Sequence, residues 1–160
     1  MTTGNFSSVE LLGHEESCKF NEITLETCQR IGEHAVEIGL QRNYPITIAV
    51  QLDGNEVFLR ALPGADAEQL SWIARKANVV NLTHHATMFE RVSAEERGAD
   101  WHQEHGVADE THAIHGGGFP ITTKSGEFRG VLLISGLPQV EDHLLAYEVL
   151  VFMSQELNQG

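Results

Sequence analysis

The fold is decided by one stretch of sequence, ITIAVQLDGNEVFLRA, at residues 46–61. Residues 46–52 and 56–61 are rich in β-branched and other apolar side chains, which favour strands. Between them lies Asp53-Gly54-Asn55, and glycine accepts the positive φ that a tight hairpin turn needs. The stretch therefore predicts two antiparallel strands joined by a turn, the second of which ends at Leu62-Pro63-Gly64.

A second hairpin is predicted further along the chain, with strands at residues 119–123 and 128–135. Apolar residues at helical spacing predict three helices around the two hairpins. The first follows Asn21, which is a suitable N-cap, the second opens at Asp66, and the third covers residues 139–157. Hairpins imply antiparallel pairing, so we expect a mostly antiparallel sheet with helices packed against it, in the α+β class.

Two segments have weaker patterns. Residues 83–115 are polar and rich in histidine, and they predict a short helix over 84–91 followed by an irregular remainder. Residues 1–16 predict a polar N-terminal arm or a short helix, and residues 17–158 a single domain of common size. The expected order is helix, hairpin, helix, irregular segment, hairpin, helix.

The charge and the cysteines narrow the class of protein. Ten basic and 23 acidic residues give a net charge of -13, which repels phosphate backbones and anionic lipid. Nucleic acid and membranes are therefore not expected as partners. Residues 1–16 lack a signal-peptide pattern, and Cys18 and Cys28 form no disulfide framework, so we expect a cytoplasmic protein with reduced thiols.

Several motifs resemble one family when they are taken in order. They are Leu62-Pro63-Gly64, Trp72-Ile73-Ala74-Arg75-Lys76, the segment from His115 to Ile121, Ser135-Gly136-Leu137-Pro138-Gln139, and Glu141-Asp142-His143. Together they resemble the haem-degrading-domain family, which includes GlcG-like and HbpS-like proteins and the C-terminal domain of PduO-type corrinoid adenosyltransferases. The resemblance covers roughly residues 20–157, which is one domain of common size.

The resemblance implies a sheet of about five antiparallel strands flanked by helices, in a homo-oligomer that is often ring-like. It also implies haem as a possible cofactor, since haem binding or slow haem degradation is attributed to some members. A family likeness is an associational argument for function, so the residues themselves must carry the chemistry.

The triple glycine Gly116-Gly117-Gly118 has two interpretations. It is not a dinucleotide-binding loop, because a strand beginning at Phe119 follows it where such a loop needs a helix. It can serve positive φ or a close approach of the backbone. Alternatively, its N–H groups can line a pocket for a carboxylate or a haem propionate.

Candidate acid–base groups lie at the strand-to-helix corner. Glu141 and His143 are within about two turns of Ser135, and His115 stands at the start of the glycine loop. An imidazole can ligate iron or exchange a proton near neutral pH, so His115 or His143 is the expected haem-iron ligand. In an enzyme, Glu141 or Asp142 would share acid–base work with one of these histidines. The plain alternative is that the acids only suit the helix start and His143 makes a structural hydrogen bond.

Trp72, Arg75 and Lys76 are spaced to share one helix face. An aromatic ring beside two cations suits a planar ligand that bears carboxylates. It suits an oligomer interface equally well. A third alternative is packing within the chain, in which Trp72 contacts Arg75 and Arg75 pairs with an acid. His102, His105 and His112 lie in the polar segment without a metal-site motif, and we expect them to be exposed polar histidines.

Three hypotheses follow. The first is a homo-oligomeric domain that binds a small molecule, either haem or a related tetrapyrrole. The second is an enzyme that acts on a small carboxylated metabolite, and the third is a structural protein. The catalytic candidates are His115, Glu141 and His143, of which His115 or His143 is the iron ligand if haem is bound. The ligand-binding residues of the first hypothesis are Trp72, Arg75, Lys76, Gly116, Gly117, Gly118, Phe119 and Ser135.

Overall fold

Ten regular elements appear in the computed structural model, which describes residues 3–159. Within those residues, six helices flank one four-stranded antiparallel sheet, which confirms the α+β class. In chain order the elements are α1 (Ser8–Glu16), α2 (Leu25–Gln41), β1 (Thr47–Leu52), β2 (Asn55–Ala61), α3 (Glu68–Thr83), α4 (Thr87–Glu96), α5 (Trp101–His105), β3 (Gly118–Thr122), β4 (Phe128–Ser135) and α6 (Gln139–Asn158).

The hairpin of β1 and β2 is present as the sequence predicts. Its two-residue turn has φ of 51° at Asp53 and 82° at Gly54, so both central residues lie in the left-handed region. This is the backbone twist that matches the right-handed twist of the two strands. Leu52 pairs with Asn55 across the turn.

The sheet has the strand order β2-β1-β4-β3, so the two hairpins meet through β1 and β4. The expectation of about five strands is corrected to four within residues 3–159. Phe20 makes only an isolated parallel bridge to Thr123. It cannot extend into a strand because the connection between α1 and α2 is short and turns at once into the cap of α2.

The two faces of the sheet bury different helices because successive strand residues point to opposite sides. Ile48, Leu132 and Ile134 join the core beneath α2 and α6. On the other face, Ala49, Leu133 and Val131 pack against α3. The candidate site is built on this second face, at the end of β4.

The helix boundaries correct two expectations, at Asn21 and at His84, and they favour the helical alternative near the N-terminus. The N-cap of α2 is Thr24 and not Asn21, because the side chains of Thr24 and Thr27 bond each other's backbone N–H groups. Residues 8–16 form the short helix rather than a loose arm, and residues 1–2 lie outside the described part of the chain. His84 ends α3 with a left-handed φ of 62°, so the next helix begins only at Thr87.

The turn and one helical glycine allow a paired stability test. Gly54→Ala should lower the free energy of unfolding by about 1 kcal/mol, because alanine is strained at positive φ. Gly13→Ala should raise it by about 0.5–1 kcal/mol, because Gly13 lies inside α1. An added Cβ at either position meets no atom within 4 Å, so only the backbone differs. Urea unfolding of both variants checks the opposite signs, and two shifts of the same sign would contradict the explanation.

Candidate functional site

A cavity of about 310 Å³ opens on the α3 side of the sheet. The start of α3, the segment before β3 and the corner between β4 and α6 surround it. Five residues proposed from the sequence line it, namely Trp72, Lys76, His115, Ser135 and Asp142. The other lining residues are Asp66, Glu68, Gln69, Gly136, Leu137 and Gln139.

A buried ion pair forms part of the cavity wall. Lys76 Nζ lies 3.3 Å from Asp142 Oδ2 and donates to the carbonyl of Ile134 at 2.9 Å. Both side chains are 3% exposed. Burial lowers the pKa of Lys76 and raises the pKa of Asp142 to about 6, since each charged form loses hydration. The pair links α3 to the corner between β4 and α6.

Asp142 also organises that corner. Its Oδ1 accepts a hydrogen bond of 3.0 Å from the backbone N–H of Leu137. Gly136, with φ of 142°, comes so close to Pro45 that an added Cβ would lie 2.7 Å from the Pro45 carbonyl oxygen. Asp142 therefore holds the turn in which glycine is sterically required.

The triple glycine serves close packing. An added Cβ on Gly117 would lie 2.8 Å from Lys76 Nζ and in collision with the carbonyl oxygen of Ile134. The N–H of Gly116 donates to Gln139 Oε1 at 3.2 Å, and that of Gly118 to Thr87 Oγ1 at 3.1 Å. Two of the three N–H groups are thus engaged by side chains instead of lining the cavity.

His115 stands at the edge of the cavity as a neutral imidazole. Its ring meets the indole of Trp72 edge to face, with centroids 4.7 Å apart. Burial, and then the positive charges of Arg91 and Lys76, lower the pKa of His115 to about 4. Within residues 3–159 it has no hydrogen-bond partner, so its ring nitrogens are available to a ligand.

Arg75 is engaged within the chain. Its guanidinium carbon lies 4.3 Å from the centroid of Trp72, and its Nη2 donates to Asp109 Oδ2 at 2.8 Å. This is the intramolecular packing that the sequence left open, with Asp109 as the acid. Since Lys76 is paired with Asp142, both cations expected to hold a ligand carboxylate already have partners.

The charge at the cavity is also unfavourable for a carboxylate. Asp66 and Glu68 line it as exposed residues, and Asp142 adds a third carboxyl group against the single amino group of Lys76. Like charges in a cleft repel an anionic ligand. The lining therefore suits an uncharged or cationic group better than an anionic one.

Three other proposed residues lie away from the cavity. Glu141 is exposed, and Phe119 is buried on the opposite face of the sheet. His143 is also buried, in contact with Phe119 and with His14, whose Nδ1 lies 3.0 Å from His143 Nε2. Consecutive helix residues point about 100° apart, so only Asp142 of this triplet faces the cavity.

His143 lies in an aromatic cluster that fastens α1 to α6. Phe6 contacts both His14 and His143, and the ring of His14 stacks on Tyr147 at 4.0 Å. Nδ1 of His143 is buried and has no partner within the described residues. Burial and the neighbouring His14 lower the pKa of His143 to about 3. Its neutral ring is thus a packing element rather than a cavity group.

Two histidines of the polar segment bond main-chain carbonyls. His102 Nε2 lies 2.6 Å from the carbonyl of His112, and His105 Nδ1 lies 2.8 Å from that of Trp101. Among residues 3–159, no group of three or more histidine, cysteine or acidic side chains is arranged to hold a metal ion. In the same range, no helix combines the length and apolar character needed to cross a bilayer.

Sequence reasoning named neither Gln69 nor Gln139 as a site residue, because Gln69 lies in no recognised motif and Gln139 only ends the motif that begins at Ser135. Gln69 accepts from Thr47 Oγ1 at 2.8 Å and donates to the carbonyl of Pro45 at 2.9 Å. These bonds join α3 to the start of β1. Asp142 lay within the recognised corner motif, but only the helical phase distinguishes it from its neighbours.

Comparison with known proteins shows the family of this chain. Residues 23–150 match the family described as "Haem degrading protein HbpS-like". The chain belongs to this family. UPF0303 proteins are also similar: that of Acidobacterium capsulatum is 33% identical over 143 residues, covering 89% of this chain and 87% of the relative. That of Azotobacter vinelandii is 33% identical over 142 residues, covering 89% and 86%.

Solved structures share the fold. The Ybr137w protein has a TM-score of 0.85 and 22% identity, over 93% of this chain and 88% of that chain. A PduOC:Heme complex has a TM-score of 0.68 and 21% identity, over 82% and 94%. HbpS itself has a TM-score of 0.61 and 21% identity, over 80% and 87%. At these identities the likeness establishes the architecture.

The buried histidine generates a pH prediction. Unfolded His143 takes up a proton near pH 6.5, whereas the folded form does so only near pH 3. Between these values the unfolded state binds more protons, so stability falls as the pH falls, by about 1.4 kcal/mol per pH unit. We expect His143→Leu to make this slope shallower by that amount in urea unfolding between pH 6 and 4.

Tyr147→Phe is the matched control, because it alters the same aromatic cluster without removing an imidazole. It should keep the slope of the unaltered protein. Equal slopes for His143→Leu and the unaltered protein would show that His143 does not carry this acid sensitivity.

Proposed function

We propose that this chain binds haem or a related tetrapyrrole at the mouth of the cavity, with His115 as the iron ligand. The observation that carries the proposal is the state of His115, which is neutral, half-buried and without a hydrogen-bond partner in residues 3–159. A neutral imidazole nitrogen is the form that ligates haem iron. Membership of the haem-degrading family supports the choice of ligand, as does the haem complex formed by the similar PduOC protein.

The residues fit the iron side of haem better than its propionates. Trp72 lies beside His115 and offers apolar surface to the edge of a macrocycle. The cavity, about 310 Å³, is at the lower end of ligand pockets, so most of the ring would lie outside it. Asp66 and Glu68 repel carboxylates, so the propionates would point away from the start of α3.

Bound haem would supply an iron centre for redox chemistry, and the chain's own residues would bind and orient it. His115 would hold the iron, and the buried pair of Lys76 and Asp142 would fix the wall beside it. Slow degradation of the ring would need dioxygen and an external reductant in addition to the residues that hold the iron.

Hemin titration of the purified protein tests the binding proposal. We expect a Soret shift relative to free hemin, and its loss or a weakening of at least about tenfold in His115→Ala, since one axial bond is removed. His34→Ala is the control, because His34 lies on α2, across the sheet from α3, and stacks on Phe152. A spectrum identical to free hemin, or equal binding by His115→Ala, would reject the proposal.

We further infer that the protein is a homo-oligomer. β2 is an edge strand of the sheet, and its Leu59 is 48% exposed. An edge strand presents unpaired N–H and C=O groups with which another copy of the chain can pair, and Leu59 lies within that edge.

Leu59→Lys should therefore reduce the mass measured by light scattering, because a charge is placed in the contact. Val9→Lys, on exposed Val9 of α1, should keep the mass of the unaltered protein. A monomeric unaltered protein would end the inference, and an unchanged mass for Leu59→Lys would exclude β2 as the contact.

A further inference from the structure

We propose a second activity for the cavity: Lys76 forms a covalent imine with small uncharged carbonyl compounds, and Asp142 carries the protons of that step. The inference goes beyond haem binding and does not depend on it. It rests on the geometry around Lys76, the balance of charge at the cavity and the chemistry of a buried amine.

The position of Lys76 separates it from the other two lysines. Lys76 Nζ lies in the wall of the cavity, next to Asp142 Oδ2 at 3.3 Å. Lys124 is exposed, and Lys19 lies 3.7 Å from exposed Glu16; neither lines this cavity. Gly117 passes over the amine so closely that a methyl group there would lie 2.8 Å from Nζ. The chain thus builds a tight enclosure around one lysine of three.

The surroundings favour the nucleophilic form of this lysine. An amine attacks a carbonyl only when it is deprotonated, and burial is one way in which proteins achieve this near neutral pH. Burial lowers the pKa of Lys76 and raises that of Asp142, which moves the pair toward free amine and carboxylic acid. The carbonyl of Ile134, which accepts from Nζ, holds the amine in place.

The step is balanced without any further reactant. The Nζ lone pair attacks the carbonyl carbon to form a carbinolamine, and the carbonyl oxygen takes up the proton of the Asp142 carboxylic acid. Asp142 removes a proton from the nitrogen and delivers one to the departing hydroxyl group. The C–O bond breaks, a C=N bond forms, and one water molecule leaves, with no change of oxidation state.

The cavity selects the class of carbonyl compound. Asp66 and Glu68 repel carboxylates, while Trp72 gives one side of the cavity apolar surface. A volume of about 310 Å³ admits a compound of a few carbon atoms. The expected substrate is therefore a short uncharged aldehyde rather than an oxo acid.

Reductive trapping tests the proposal on the unaltered chain. The protein is incubated with propanal and sodium cyanoborohydride at pH 7, digested, and mapped by mass spectrometry at Lys19, Lys76 and Lys124. We expect the early propyl adduct on Lys76 to exceed that on Lys124 severalfold, since burial lowers the pKa of Lys76 and so raises its share of free amine. Adducts on Lys19 and Lys124 at an equal or higher level, or none on Lys76, would overturn the proposal.

Two further measurements separate chemistry from accessibility. Glyoxylate, which carries a carboxylate, should label Lys76 less than propanal, and the double variant Asp66→Asn/Glu68→Gln should raise glyoxylate labelling severalfold. Unchanged glyoxylate labelling would remove the stated selectivity. Lys76→Arg, checked for folding by circular dichroism, should abolish the propyl adduct at position 76, while Lys19 and Lys124 react as before. Trapping on Lys76 without a hemin Soret shift would reject haem binding and leave the imine proposal standing. A Soret shift without trapping on Lys76 would reject the imine and leave haem binding standing.

Discussion

The buried contact between Lys76 and Asp142 holds the functional end of the molecule together. It joins α3, the last residues of β4 and the first turn of α6, which are distant in sequence. Such a pair pays a large desolvation cost, and hydrogen bonds to the remaining atoms are what make it tolerable. Here Ile134 and Leu137 supply those bonds. The location of the cavity follows from this contact, because its wall is made of the elements that the pair brings together.

The glycine loop depends on the same contact. Ile134 donates its N–H to the carbonyl of Gly117 and accepts from Lys76 with its own carbonyl, so the loop and the lysine are bonded to one residue. Any side chain on Gly117 would collide there. The close packing of Gly117, two residues after His115, therefore holds His115 at the edge of the cavity. On its other side, Arg91 donates to the carbonyl of Ile114 at 2.8 Å and so fixes the residue before His115.

Local chemistry explains what could be predicted from the sequence. The turn at Asp53 and Gly54 needs only the φ preferences of two residues, so both the hairpin and its boundaries were accessible. The contact of Lys76 with Asp142 spans 66 residues and that of His14 with His143 spans 129, and no pattern in one sequence marks such pairs. The motifs around Trp72, His115 and Ser135 contributed residues that line one cavity. Which of Glu141, Asp142 and His143 faces the cavity depended on the phase of α6, which only the packed structure determines.

The net negative charge of the chain and the burial of Lys76 and His115 shift the pKa values of these side chains in opposite directions, and burial has the larger effect. A chain with a net charge of -13 attracts protons, which by itself would favour the ammonium of Lys76 and the imidazolium of His115. Yet the surface charges act through water and salt, which screen them over about 10 Å. Loss of hydration acts on the group itself, and it lowers the pKa of both side chains. Burial thus shifts both side chains toward their neutral forms, against the attraction for protons that the acidic surface exerts.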